Sequence, residues 1–238
     1  MNRVNTPIPK VAFPSISEFK IDLLDEPLIS LSSLGLKVDP MYYNQGIESA
    51  LNDVYLRLTP AYMLLKANDL LPFGYSIKAY DGYRPISVQQ HLWDMYRKQV
   101  SEDPKNADLS DEEIDFKTSF FVSKPSYDAK QPSLHNTGGA IDITIVGPDD
   151  KELDMGTAFD DFSNKAWTNH FEEYEDNEIV RNNRRMLYHT MMRAGFTNLP
   201  SEWWHYDFGT KFWAYFKQRD ALYTGFLNAE IQQLCLKT

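Results

Sequence analysis

The spacing of core-facing residues predicts three helices. Residues 60–71 repeat apolar side chains at helical intervals, with Pro60 suited to the first helical position and Thr59 able to cap it. A second helix is expected directly after Pro85, and a third ends at Gly195, a residue type that commonly terminates helices. The core-facing positions of the three helices are, in order, Met63, Ala67, Leu70 and Leu71, then Val88, Leu92, Met95 and Tyr96, then Leu187, Thr190, Met191 and Ala194.

Period-two alternation predicts strands in the middle of the chain. Residues 75–80 alternate in this way, and residues 139–146 form the clearest case, with three isoleucines on one side and Asp142 on the other. Shorter strands are expected near Phe196 and Tyr206. Since helices and strands come in clusters without regular alternation, the predicted fold class is α+β, a single domain with a mainly antiparallel sheet flanked by helices.

Three further stretches lack a regular pattern or lie at the ends of the chain. Residues 1–30 begin with several prolines and are predicted to form an extended N-terminal arm, either lying on the surface or partly disordered, ahead of one domain over residues 31–238. Residues 101–131 are polar, acidic and broken by prolines, which predicts a long loop with room for a short helix. The tail from Lys211 onward is predicted to be helical.

Composition and charge exclude several classes of partner. Hydrophobic residues make up 42% of the 238 residues and charged residues 24%, as in an ordinary globular protein. The formal net charge of −10 argues against a nucleic-acid partner, because no broad basic surface is available to bind phosphates. No apolar run is long enough to span a bilayer, and the N-terminus lacks the core of a signal peptide, so a cytoplasmic protein that binds no membrane is expected. The single cysteine, Cys235, allows neither an intrachain disulfide nor a cysteine-based zinc site.

A histidine and an aspartate stand out around the clearest strand. His135 precedes a pair of glycines that let the chain fold back, and Asp142 lies on the strand that follows. A carboxylate flanked by two isoleucines on a central strand is costly to bury unless it is paired or bound to a metal. Two interpretations remain open from these residues alone: a metal site, or a hydrogen bond that ties a loop to a strand.

Two other short motifs contain side chains that could take part in catalysis, but each also has a simpler structural interpretation. Glu202 and His205 are three residues apart in SEWWHY, so a bend in the chain is needed to bring both to one site. Alone, this segment is a weak motif and is better interpreted as an aromatic core cluster with one hydrogen-bonded histidine. Arg84 in DGYRP follows a strand and a turn, where functional side chains are common. In isolation, however, the first interpretation is a surface arginine or a structural salt bridge.

Taken together, these motifs resemble the VanX type of zinc D-alanyl-D-alanine dipeptidases. The resemblance runs from about residue 40 to residue 210 and rests on five segments in the family's order along the chain. These are DGYRP, SLHNTGGAID, MGTAFD, the helix before Gly195, and SEWWHY. The chain departs from the usual pattern at Thr137, often arginine in relatives, and around residues 43–48, which leaves the exact substrate open.

The resemblance implies a role for each matching position. One zinc ion per chain, on the sheet, would be held by His135, Asp142 and His205. The implied activity is hydrolysis of D-Ala-D-Ala, or a similar small dipeptide, by a metal-bound water, in cell-wall recycling or glycopeptide resistance. Glu202 would be the general base and Arg84 the transition-state stabiliser, whereas the implied substrate contacts are Ser133, Asp160 and Tyr42.

The implied site is chemically coherent, and two alternatives remain. Two imidazoles and one carboxylate leave a coordination position open on zinc, as in catalytic rather than structural sites. The first alternative is a D,D-carboxypeptidase or endopeptidase that acts on peptidoglycan stem peptides with the same metal site. The second is a non-catalytic zinc-binding protein, against which Glu202 and Arg84 argue, because a structural zinc needs neither a base nor an oxyanion partner.

Overall fold

The computed structural model describes residues 5–16, 18–173 and 177–227. The described residues form seven strands: β1 (Leu28–Ser30), β2 (Lys37–Val38), β3 (Tyr55–Arg57), β4 (Ser76–Asp81), β5 (Ala140–Val146), β6 (Thr197–Asn198) and β7 (His205–Asp207). They also form six α-helices: α1 (Met41–Asn44), α2 (Leu58–Asp69), α3 (Ile86–Glu102), α4 (Asp111–Thr118), α5 (Glu178–Arg193) and α6 (Lys211–Lys217).

The strands form one five-stranded sheet and one separate pair. The sheet has the order β2-β4-β5-β7-β6, in which β2 runs parallel to β4 and every other pairing is antiparallel. The separate pair joins β1 to β3 in antiparallel register. This architecture confirms the predicted α+β class with a mainly antiparallel sheet and flanking helices.

Strand β5 is central and is buried along its whole length. Its isoleucines, Ile141, Ile143 and Ile145, belong to the main core cluster, which also contains residues of α2 and α5. The alternation predicted for this strand is present, but both faces are buried, so Asp142 is buried and not exposed on the protein surface. The register sets Asp142 opposite His205 of β7 on one side and opposite Asp81 of β4 on the other.

The predicted helices exist, with shifts in their ends and faces. Helix α2 begins two residues earlier than expected because β3 leads directly into it, and Arg57 takes the N-cap position predicted for Thr59. Its buried face is formed by Pro60, Ala61, Leu64 and Ala67, so the prediction was wrong for Leu70, which is 37% exposed. In α3 the buried face includes Trp93, whereas Met95, which was predicted to face the core, is exposed.

Other stretches follow the predictions more closely. The short helix expected within residues 101–131 is α4, which begins with a capping box between Ser110 and Glu113. Helix α5 ends as expected before Gly195. The helical prediction for the tail holds only for α6, since the chain leaves the helix at Gln218 and residues 218–227 form none; residues 228–238 lie outside the described part.

The described part of the N-terminal arm packs along the protein surface. The backbone N–H of Ile8 donates to Glu172 Oε1 over 2.9 Å, and further along Asp22 N–H donates to the carbonyl of Ala221 over 2.7 Å. Strand β1 then brings the end of the arm into register with β3. The division of the chain at residue 30 stays a prediction. Within the described ranges, no helix is both long enough and apolar enough to cross a membrane.

Candidate metal centre

Three buried side chains from separate elements converge next to the central strand. His135 lies in a short 3-10 turn before β5, Asp142 lies on β5, and His205 begins β7. Each offers one ligand atom, and these atoms all lie within 4.8 Å of one another. The turn that returns His135 to the strand depends on Gly138, whose φ of +70° suits glycine and whose missing side chain leaves room for Leu28.

The interatomic distances show that the candidate ligand atoms of the three side chains surround a common point. His205 Nδ1 lies 3.0 Å from Asp142 Oδ1 and 3.1 Å from His135 Nε2. His135 Nε2 lies 3.4 Å from Asp142 Oδ2. Asp142 Oδ1 is buried and accepts no well-oriented hydrogen bond from any described residue. A buried carboxylate oxygen left in this way is costly, and a metal ion among the three side chains would satisfy it. This geometry therefore fits a metal site better than a loop-to-strand hydrogen bond.

The outer nitrogen of each histidine has its own partner. His135 Nδ1 lies 2.8 Å from the carbonyl oxygen of Gly82, and His205 Nε2 lies 3.2 Å from Asp207 Oδ2. A proton on each outer nitrogen leaves His135 Nε2 and His205 Nδ1 with lone pairs directed inward. This is the usual arrangement around metal-binding histidines.

Burial and neighbouring charge act in opposite directions on the carboxyl of Asp142. Burial alone would raise its pKa, but the adjacent His135 and His205 outweigh that effect and lower it. Asp142 is therefore ionised at neutral pH, as a metal ligand must be.

Glu202 lies beside the three candidate ligands without joining them. The chain bends before β7, with Glu202 N–H donating to the carbonyl of Leu199, so that Glu202 and His205 reach the same site. Glu202 Oε2 is 3.8 Å from His205 Nδ1. Burial raises the pKa of Glu202 to about 7, which is suitable for a group that accepts and returns a proton near neutral pH.

Arg84 is held at the edge of the cluster by three neighbours. Its Nε donates to Asp81 over 2.8 Å, and its two terminal nitrogens donate to Gln89 over 3.0 Å and to Tyr42 Oη over 3.2 Å. The nearer terminal nitrogen is also 3.9 Å from Asp142 Oδ2. The salt bridge considered as an alternative thus exists, with Asp81, and it fixes the guanidinium beside the candidate metal site.

The predicted substrate contacts lie around the same cavity. Tyr42, on α1, donates its hydroxyl to Asp160 Oδ2 over 3.0 Å. Asp160 has a positive φ of +59°, an uncommon conformation that occurs often at functional sites. Burial raises the pKa of Asp160 to about 7, and the nearby charge of Asp142 adds to this effect. Ser133 lines the cavity together with Arg84, Glu202 and the candidate metal ligands.

Several residues at the site were not singled out from the sequence. Asp207 could have been found from its spacing, since residues i and i+2 share a face of a strand and His205 is on β7. Gln89 and the aromatic cavity wall of Tyr96, Phe121 and Phe162 have no such signal, because distant segments of the chain bring them together. Thr137 donates its hydroxyl to the carbonyl of Leu134 and supports the turn that carries His135.

The fold and the site define a class of protein: an α+β protein with a two-histidine, one-carboxylate metal centre and a separate carboxylate beside it. Residues 54–223 match the sequence profile of the peptidase M15 family described as D-ala-D-ala dipeptidase. The chain belongs to this family.

Individual relatives agree with the family match. A D-alanyl-D-alanine dipeptidase of Synechocystis sp. is 30% identical over 155 residues, which cover 60% of this chain and 63% of the relative. A D-alanyl-D-alanine dipeptidase of Escherichia coli is 28% identical over 134 residues, covering 56% of this chain and 55% of the relative. The chain thus spans less than two thirds of the length of either relative. Among solved structures, VanYB in complex with D-Alanine-D-Alanine has a TM-score of 0.43 and 15% identity, covering 79% of this chain and 86% of that chain.

Proposed function

We propose that the protein is a zinc-dependent dipeptidase that hydrolyses D-Ala-D-Ala or a similar small dipeptide. The observation that carries the proposal is the convergence of His135, Asp142 and His205 with Glu202 beside them in one cavity. Membership of the D-ala-D-ala dipeptidase family supports the same reaction. An isolated cluster of this kind could serve many hydrolases, and the family narrows the choice to this substrate class.

The donor set fits one zinc ion per chain. Two imidazole nitrogens and one carboxylate oxygen are ligands that zinc favours, and they leave a fourth position open, as catalytic sites require. When bound, zinc polarises a carbonyl oxygen and lowers the pKa of a coordinated water to about 7.

Glu202 is the proposed general base. Its carboxylate lies close to the ligand cluster but outside it, with Oε2 3.8 Å from His205 Nδ1. With a pKa raised to about 7 by burial, it can take the proton of the attacking water and return it to the leaving amine.

Arg84 is the proposed transition-state stabiliser. Asp81, Gln89 and Tyr42 hold its guanidinium in place before any substrate arrives. A donor fixed in advance stabilises a developing oxyanion without reorganisation during the reaction.

Asp160, Tyr42 and Ser133 are proposed to bind the amino end of the dipeptide. The largely desolvated carboxylate of Asp160 would form an ion pair with a free ammonium, whereas the neutral amide of a longer peptide offers it no charged partner. Leaving a buried charged group without its partner costs about 1–3 kcal/mol or more, and sites of this kind can discriminate by about 10⁴-fold.

The test is a comparison of kcat/KM for free D-Ala-D-Ala, its N-acetyl form, a D-Ala-D-Ala-terminated tripeptide and an L,L-dipeptide. Of these four compounds, we expect only free D-Ala-D-Ala to be cleaved efficiently. Asp160→Asn should raise KM for the dipeptide and narrow the gap to the N-acetyl form. Comparable kcat/KM for the free and N-acetylated dipeptides would contradict the dipeptidase proposal and favour the carboxypeptidase alternative.

A further inference from the structure

The side of His205 that faces away from the cavity contacts a second buried carboxylate. Asp207 lies two residues further along β7 and is fully buried, and its Oδ2 is 3.2 Å from His205 Nε2. Its other carboxylate oxygen, Oδ1, accepts a hydrogen bond from Thr210 Oγ1 over 2.7 Å. Both oxygens therefore have a defined partner, and one of these is a candidate metal ligand.

Thr210 anchors this carboxylate to the rest of the fold. It is fully buried and caps α6, where its hydroxyl oxygen accepts the backbone N–H of Trp213 over 3.3 Å. The hydroxyl proton is therefore free to be donated to Asp207. The chain from Thr210 through Asp207 to His205 links the start of α6 to the candidate metal centre.

The nearest acceptor on the outer nitrogen differs between the two histidines. His135 Nδ1 is closest to the backbone carbonyl of Gly82, at 2.8 Å, with Asp81 Oδ2 further away at 3.3 Å, whereas the acceptor at His205 Nε2 is the carboxylate of Asp207, at 3.2 Å. A carboxylate holds the imidazole N–H more strongly than a carbonyl does and makes the opposite nitrogen more basic. Burying a carboxylate is costly, so a fully buried one placed here needs a compensating role.

We infer that Asp207 is a positioning residue for the metal centre, which fixes the His205 ring with its proton on Nε2 and presents Nδ1 to the metal. The inference rests on the metal site of the proposed function but goes beyond the three ligands. Thr210 contributes indirectly, by holding Asp207 in the orientation that His205 requires.

The inference is tested by zinc affinity, measured on the full chain by competition with a chelator and without substrate. Asp207→Ala should raise the zinc Kd by about 10–100-fold, the range found when such outer partners are removed. Asp207→Asn keeps an oxygen that can accept a hydrogen bond from His205 Nε2, so it should lose less zinc affinity than Asp207→Ala. Thr210→Val should lose less zinc affinity still. If Asp207→Asn loses as much zinc affinity as Asp207→Ala, the positioning role of Asp207 is contradicted.

A control separates this effect from the general cost of changing a carboxylate that accepts a threonine hydroxyl. Glu26 also accepts a threonine hydroxyl, that of Thr59, together with the hydroxyl of Tyr223, but none of these is a candidate ligand. Glu26→Gln should therefore bind zinc like the wild type. Metal-free unfolding curves of all variants identify the folded fraction to which each Kd refers.

The outcomes distinguish the inference from the proposed function. A wild-type chain that binds no zinc would overturn the proposed function, whereas a zinc-binding wild type with Asp207→Ala within twofold of it would overturn the inference alone. Nitrogen-15 NMR of the metal-free wild type adds a test that needs no variant. We expect neutral His205 to carry its proton on Nε2 before zinc binds, and a proton on Nδ1 in the metal-free protein would refute the role of Asp207.

Discussion

Around the metal centre, similar carboxyl groups are given different properties by their neighbours. Burial raises the pKa of both Glu202 and Asp160 to about 7, whereas the two histidines lower that of Asp142 despite its burial. The ligand therefore stays charged at neutral pH, while the proposed base can exchange a proton in that range. This separation follows from which charges lie within a few ångströms, since burial acts to raise the pKa of all three carboxyl groups.

Glu202 should be essential for turnover without being needed for metal binding. We expect Glu202→Ala to keep its zinc and to lose activity by about 10²–10⁴-fold, the usual contribution of general acid–base catalysis. Metal analysis and steady-state kinetics on the same preparation check both parts. Loss of zinc from this variant would make Glu202 a ligand and require a different mechanism.

Arg84 should act mainly in the transition state. We expect Arg84→Ala to lower kcat by about 10²–10³-fold with zinc retained, since a single oxyanion donor is worth about that much. Arg84→Lys should restore little, because lysine lacks the planar fork that reaches Asp81 and Gln89 together. If the kcat of Arg84→Ala is within threefold of the wild-type value, the role of Arg84 is only structural, through its salt bridge.

At the scale of elements, another buried arginine joins the segments that carry the proposed substrate contact Asp160 and the proposed base Glu202. Arg184, on α5, is 1% exposed and donates to the backbone carbonyls of Met155, Lys165 and Trp167. These carbonyls belong to the stretch that contains Asp160, and Arg184 also lies over the ring of Trp203, next to Glu202. One helix thus fixes two parts of the candidate site.

Replacing Arg184 should therefore destabilise the fold. Arg184→Leu leaves three carbonyls without their donor, and each buried unsatisfied group costs about 1–3 kcal/mol. We expect the free energy of unfolding in urea to fall by at least about 3 kcal/mol. Arg97→Leu is the control, since Arg97 pairs with Asp111 and Asp115 near the surface, where ion pairs are worth about 0–1 kcal/mol. Equal losses in the two variants would contradict the role of Arg184.

On the scale of the whole molecule, the candidate ligands tie together parts of the chain that are far apart in sequence. Metal bound by His135, Asp142 and His205 would join the turn before β5, the strand itself and β7. A ligand that binds only the folded state stabilises it by an amount set by its concentration relative to Kd.

Zinc should accordingly raise the melting temperature. Free zinc at 1,000 times its Kd adds about 4 kcal/mol. For a domain of this size each kcal/mol corresponds to about 2–4 °C, so the expected rise is about 8–16 °C. Differential scanning calorimetry with zinc and with a chelator measures it. His135→Ala and His205→Ala should abolish the rise, and a full zinc response in both would refute the ligand assignment.

The sequence by itself determined the local elements and the identity of the candidate ligands. Alternation along β5 predicted the strand that carries Asp142, and this signal is local because it depends on side-chain periodicity. The ligand cluster that the fold assembles was implied by the resemblance of the motifs around His135 and His205 to the zinc dipeptidases, since the residues alone left a structural alternative open. Several points stay predictions. These are the roles of Glu202, Arg84 and the substrate contacts, the cytoplasmic location, and the number of zinc ions, one per chain.

Only the tertiary structure decided which faces are buried and what surrounds the site. Leu70 is apolar yet exposed, because the direct passage from β3 into α2 turns a different face of that helix inward. Gln89 and the aromatic wall join the site through contacts between distant segments, which no local pattern encodes. The pKa values of Glu202 and Asp160 likewise depend on burial, and burial exists only once the sheet, helices and loops have packed together.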